Sequence, residues 1–292
     1  FVSLATHLFN LPSLSPRPHA MLGGALGLLL VFRTNAAYNR FWEGAKVWEK
    51  LHNTCRDLAR FLAIYEEELG RKRVERIASL LSAFPYVLQE HLQGTPIEPN
   101  TPAKMKLKHK WDRDNWAFWK SANRMAKRLG TLLPPGDVSE MKHASNRPLW
   151  VLGKLAVECK ATPLNALTWT SRERLTLVKM LDRLSEGLGA CERLIQIPVP
   201  LAYARHTSRF LTIWVMSLPL MMAKDMGIAT VPALGVISWG LYGIQELGLI
   251  IEDPFKNRQV LRLEHFSNRI FQDILDTLGP NLFSPVDKAI HQ

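Results

Sequence analysis

The chain has 292 residues, 47% hydrophobic and 22% charged, enough to bury a sizeable core and too apolar for intrinsic disorder. Lys and Arg outnumber Asp and Glu by 37 to 26, a formal net charge of +11, and the mean hydropathy of −0.05 excludes a chain made only of membrane spans. Cys55, Cys159 and Cys191 are odd in number and widely spaced, which supports neither a disulfide framework nor a CxxC metal site and suits a reducing compartment.

Pro16 and Pro18 precede the first uncharged run, AMLGGALGLLLVF at 20–32, which Arg33 bounds. Thirteen residues reach about 20 Å, short of a hydrocarbon core of about 30 Å, so alone this run reads equally as a buried core helix. No breaker follows it, and the helix is expected to continue through FRTNAAYNRFWEG at 32–44. Met21, Ala25, Leu28 and Phe32 then share one stripe, a special face or an ordinary packing one. Over 38–69 Phe41, Val47, Trp48, Leu51, Cys55, Leu58, Leu62 and Tyr65 recur at mostly three- and four-residue spacing, opposite a charged face. Amphipathic helices are also predicted over 74–92 and 172–195, whereas 96–102 and 132–137 read as turns. No segment alternates convincingly as a strand.

In IPVPLAY at 197–203, Pro198 and Pro200 end the preceding helix. Pro200 also suits the start of the next, whose N-terminus would favour anions if it faced a cavity; a plain turn is the alternative. The uncharged runs at 210–223 and 226–245 follow, and the second, twenty residues long, is sufficient to cross a bilayer. Gly23, Gly24, Gly27, Gly235, Gly240 and Gly243 lie in the outer two runs, where small residues let membrane helices approach. ELGLIIEDPF at 246–255 ends the last run with acids, of which Glu252 and Asp253 are either cation ligands or an aqueous boundary.

Nothing argues catalysis. Nine histidines include no HExxH or metal-spaced His/Cys pair, and GxSxG, Walker and strand-borne GxGxxG patterns are absent, so neither an enzyme nor a metal site is expected. Lys104, Lys106, Lys108 and Lys110 beside Trp111 read as a nucleic-acid patch, a solvated loop or a contact with anionic lipid.

Taken together, FRTNAAYNRFWEG, IPVPLAY and ELGLIIEDPF resemble, in order, signatures of the bestrophin anion channels, in their bacterial, fungal and plant-type branch. The resemblance is good over 17–62 and 193–257 and general elsewhere. It implies an all-α, polytopic membrane protein with about four spanning helices per subunit, a large cytosolic helical bundle, and a homopentamer around one axial pore. Membrane helices are expected at 1–32 and 197–251, with cytosolic regions at 33–196 and 252–292. The first span is expected at or before residues 1–14, partly outside the chain.

The resemblance places Arg17, Met21 and Ala25 on the narrow pore neck, with Leu28 and Phe32 as second choice on the same stripe. Arg17 and Ala25 depart from the large apolar residues usual there, which implies a wider neck, basic at one end. A second, cytosolic aperture is expected at Val199, less surely at Ile197. Chloride, nitrate, bromide or iodide would permeate, without a cofactor. Lys256-Asn257-Arg258-Gln259 stands where animal relatives carry an acidic run, so no calcium clasp is expected. The partners implied are further copies of the chain, membrane lipid and small inorganic anions, with no nucleic acid, and the location is the plasma membrane or, in a plant or algal member, the thylakoid. Two alternatives stand: bicarbonate as the physiological ion, and a soluble or peripheral all-helical protein whose basic segment contacts nucleic acid or lipid.

Overall fold

The computed structural model describes residues 16–94, 127–160, 169–256 and 260–279. The expected first span and the Lys104–Trp111 segment lie outside the described residues. Among the described residues the regular elements are helices, including α1 (Pro16–Ile64), α2 (Glu66–Leu69), α3 (Arg71–Gln93), α4 (Pro135–His143), α5 (Arg147–Lys160), α6 (Ser171–Gln196), α7 (Leu201–Met226) and, after one 3₁₀ turn at Gly227–Ala229, α8 (Thr230–Glu252) and α9 (Leu263–Leu278); residues 127–132 are helical as well.

The chain forms two compact units, one of residues 1–44 and 194–260, the other of 45–193 and 261–292. These limits differ from the hydropathic ones at 32, 196 and 251. The reason is that polar residues in the middle of α1, such as Arg33 and Arg40, and the residues that follow α8 still pack within the first unit.

In that unit Leu26 and Leu30 of α1 bury against Leu211 and Val215 of α7, flanked by Phe210, Trp214, Leu234 and Leu241. Near the start of α1, His19 stacks on Trp214 with ring centroids 4.4 Å apart, and Trp214 Nε1 donates to the His19 carbonyl at 3.2 Å. Helices α7 and α8 run antiparallel, joined by Tyr242 Oη to Thr212 Oγ1 at 3.2 Å and Gln245 Nε2 to Ser208 Oγ at 2.5 Å. Two stretches, within 17–64 and 201–252, contain 18-residue windows of mean hydropathy 1.4 and 1.5, long and apolar enough to cross a membrane. Only 22% and 6% of those windows are buried, leaving Trp239 and Ile228 among the most exposed side chains. A folded chain seldom leaves so much apolar surface to water.

The second unit is a bundle around α3, in which every residue from 80 to 90 is buried between α5, α9 and their neighbours. The later half of α1 contributes Trp48, Leu51, Leu58 and Leu62, and α6 approaches it so closely that a methyl group at Gly187 would stand 2.8 Å from Leu51 Cγ. Asp273 of α9 lies 2.5 Å from His52 Nε2 and accepts from Arg56 Nε at 2.6 Å. Burial works to raise the Asp273 pKa, but the hydrogen bonds from Arg56 and His52 prevail and hold it below the usual carboxylate range. All three cysteines are free and buried, and burial pushes each thiol up to about 12, which keeps them unreactive.

Candidate functional site

Helix α1 has 49 residues and, at about 1.5 Å per residue, runs for about 70 Å, more than twice a hydrocarbon core. Its periodicity sorts the residues of the first unit onto two faces. Counting about 100° per residue from Arg17, Met21, Ala25, Leu28 and Phe32 fall within about 80°, whereas Leu26, Leu30, Arg33 and Ala37 fall between about 160° and 220°. The second set packs: all four are buried. The first set does not, and Met21, Leu28 and Phe32 are 80%, 56% and 56% exposed, with Arg17 and Ala25 exposed beside them. The stripe singled out in the sequence therefore lies on the part of α1 that the described residues leave uncovered, together with Leu22 and Val31 beside it.

The three sequence clusters, up to about two hundred residues apart, converge on α1 between Leu29 and Gly44, on sides of the helix away from this stripe. Gly44 admits Pro254 and Phe255: a methyl group there would stand 3.1 Å from Pro254 Cγ and 3.2 Å from Phe255 Cε1. Tyr203 Oη, at the end of the second cluster, donates to the Leu29 carbonyl at 3.2 Å, joining α7 to α1 just before the first cluster. Arg40 reaches both other clusters. Its Nη1 donates to the Ile197 carbonyl at 2.6 Å, its Nε to the Glu252 carbonyl at 3.0 Å, and its Nη2 to the Leu194 carbonyl. Sequence reasoning quoted Arg40 inside a motif but assigned it no role. Its only signal was a cation at a helical position whose neighbours are aromatic.

The prolines act as their chemistry predicts. Pro198 and Pro200 separate α6 from α7, and the Pro200 carbonyl accepts from Tyr203 N at 3.0 Å and Ala204 N at 3.3 Å, opening α7. Ile197 is exposed and Val199 half-buried in this turn. The positive end of the α7 dipole lies here.

Glu252 and Asp253 are engaged within the chain. The Glu252 carboxylate lies 3.9 Å from Arg33 Nη2, whose guanidinium is only 3% exposed, and Asp253 Oδ1 accepts from Phe255 N and Lys256 N, both at 3.3 Å, as the stop of α8. Among the described residues no three His, Cys, Asp or Glu side chains are grouped to hold a metal ion.

Residues 1–276 match the family model described as bacterial/fungal bestrophin protein. The chain is 33% identical over 269 residues to a voltage-dependent anion channel-forming protein of Nostoc sp., spanning 89% of this chain and 77% of the relative. It is 32% identical over 244 residues to the chloroplastic voltage-dependent chloride channel 2 of Arabidopsis thaliana, spanning 82% of this chain and about half, 52%, of that protein. Its fold superposes on the crystal structure of a bacterial bestrophin homologue from Klebsiella pneumoniae with a TM-score of 0.78 and 25% identity, over 94% of this chain and 91% of that one. The convergent motifs, the helical fold and the match along nearly the whole sequence agree with the resemblance read from the residues, and the chain belongs to the bacterial and fungal bestrophin family.

Proposed function

We propose that the chain is one subunit of a homopentameric membrane channel that passes small anions down their gradient, with the exposed stripe of α1 lining its neck. The observation that carries the reading is the division of α1: Leu26, Leu30, Arg33 and Ala37 are buried against the described residues, while Met21, Leu28 and Phe32 stand exposed in a helix long enough to cross a bilayer. Apolar side chains left bare by a folded subunit require lipid or further copies of the chain. Closure around an axis places this stripe toward the pore and the flanks of α7 and α8 toward lipid. The channel names of the relatives support the same reading.

Ringed copies of Met21, Leu28 and Phe32 offer little hydrogen bonding to an ion's water, and a narrow ring of that kind dewets and closes. Leu28 and Phe32 supply the bulk that Ala25 lacks, so the tightest part of the neck falls near them, with a ring of Arg17 at its mouth. Such a ring repels cations and concentrates anions. The turn at Ile197 and Val199 forms a second constriction at the positive end of α7. Weakly hydrated anions lose less on partial dehydration, so nitrate, bromide and iodide pass at least as readily as chloride. No calcium clasp gates the channel.

The test is chloride flux through purified protein in liposomes, wild type against Arg17→Ala, Met21→Ala, Phe32→Ala and Val199→Ala. Anion-selective flux altered by these substitutions is expected. Protein extracted by carbonate without detergent, with no oligomer, would overturn the reading in favour of a peripheral helical protein.

A further inference from the structure

We infer that Arg40 is the residue that positions the Ile197–Val199 constriction against the neck helix, an inference resting on the channel reading above. Three main-chain carbonyls from three segments meet its one guanidinium: Leu194 in the last turn of α6, Ile197 in the proline turn, and Glu252 at the end of α8. Two of these carbonyls belong to helix C-termini, which lack intrahelical donors and carry the negative end of the dipole. A cation placed there satisfies both needs together. The planar fork of arginine presents five donors in fixed directions and bridges three acceptors at once, which the single ammonium of lysine does not.

The placement around α1 gives this clamp its consequence. Arg40 falls about 140° from Arg17 on the helix, beside Arg33 two turns earlier and away from the Met21–Phe32 stripe. Arg33 approaches the carboxylate of the same Glu252 whose carbonyl Arg40 holds. One side of α1 therefore carries the neck stripe, and another carries the bonds that hold the second constriction. The Ile197 side chain is 65% exposed, so packing among the described residues does little to hold it, and its carbonyl is held by Arg40. Arg40 therefore fixes the proline turn from a side of α1 other than the one that carries the neck stripe, and its loss loosens the turn without changing the stripe.

The test compares wild type, Arg40→Gln and Arg40→Lys as detergent-purified oligomers, in bilayers and by hydrogen exchange. Arg40→Gln is expected to change the iodide-to-chloride permeability ratio on the order of threefold, with Arg40→Lys intermediate, the low end of the coupling seen between contacting groups. Combined with Ile197→Ala its effect is expected to be non-additive; combined with Phe32→Ala, additive. Amides at 197–204 are expected to exchange faster in both variants, with α3 unchanged. A wild-type permeability ratio and wild-type exchange in a folded Arg40→Gln or Arg40→Lys oligomer would overturn the assignment, as would equal coupling to Phe32 and Ile197. Absence of anion flux in the wild type would instead remove the channel reading, and the exchange comparison alone would then decide whether Arg40 holds the turn.

Discussion

Gly44 sits against the ring of Phe255, close enough that a methyl group at Gly44 would stand 3.2 Å from Phe255 Cε1 and 3.3 Å from Cζ. Phe255 is fully buried, so its ring has little room to yield. Gly44→Ala is therefore expected to cost about 1–3 kcal/mol by overpacking, and Phe255→Ala about 3–5 kcal/mol by leaving a cavity. Thermal unfolding of the detergent-solubilised protein measures both. A Gly44→Ala midpoint equal to wild type would show that the motif glycine serves something other than this contact.

On the proposed channel reading, the exposed stripe of α1 predicts opposite effects for size and charge. Leu28→Ser with Phe32→Ser replaces two apolar rings with hydroxyls that hold water, so conductance is expected to rise several-fold with anion selectivity retained. Arg17→Ala leaves the width alone and removes the basic mouth, so chloride current is expected to fall at low salt and to approach wild type near 1 M, where the screening length is about 3 Å. Single-channel recording under a salt series separates the two. A salt-independent effect of Arg17→Ala would place that side chain away from the ion path.

Glu90 gives the bundle a pH dependence of known sign. It is buried in α3, and the loss of solvent, opposed by the attraction of Arg147, pushes its pKa from 4.5 up to about 8. The unfolded chain therefore releases this proton first as pH rises. Stability contributed by the group falls between about pH 4.5 and 8, by at most about 1.4 kcal/mol per pH unit. Glu90→Gln is expected to flatten the thermal midpoint across that window and to raise it at pH 8. Asp273, with its pKa lowered, acts at the other end: its contribution is present above the ordinary carboxylate range and is lost as pH falls below about 4.

The elements legible in the sequence were those written in local periodicity. Residues 74–92 and 172–195 lie within α3 at Arg71–Gln93 and α6 at Ser171–Gln196, and α1 does run unbroken from the apolar stretch through the FRTNAAYNRFWEG segment because nothing in it stops a helix. The ends were harder. The helix expected to reach residue 69 breaks at Tyr65, where φ is −107° and ψ 27°, and resumes as α2 with three glutamates at its favourable N-terminal end before Gly70, at a φ of 81°, turns the chain. The turn expected over 132–137 narrows to two residues, because Pro135 sits at the start of α4, where its missing donor costs nothing. The apolar stripe was visible as spacing, but only packing tells which side of α1 stays bare. Arg40 was least legible of all: its acceptors are carbonyls, which no side-chain pattern encodes, and they lie 154, 157 and 212 residues away.

Glu252 distinguishes a counter-ion from a cation ligand. Arg33 is 3% exposed, Glu252 is its acidic neighbour at 3.9 Å, and the Nε and Nη1 of Arg33 make no hydrogen bond among the described residues. Glu252→Gln leaves a buried cation uncompensated and is expected to destabilise the protein by about 3 kcal/mol or more. Arg33→Met in the same chain removes the cation as well and is expected to restore much of that loss, because a pair replaced by apolar volume is often tolerated where half a pair is not. A calcium ligand behaves otherwise: its loss is not rescued by removing Arg33, and it weakens a calcium-dependent current. Thermal midpoints of the two single variants and the double variant, together with currents in zero and micromolar calcium, therefore decide the role. Currents indifferent to calcium and a double variant near wild-type stability are the expected result. A calcium-stimulated current abolished by Glu252→Gln would assign the carboxylate to a cation instead.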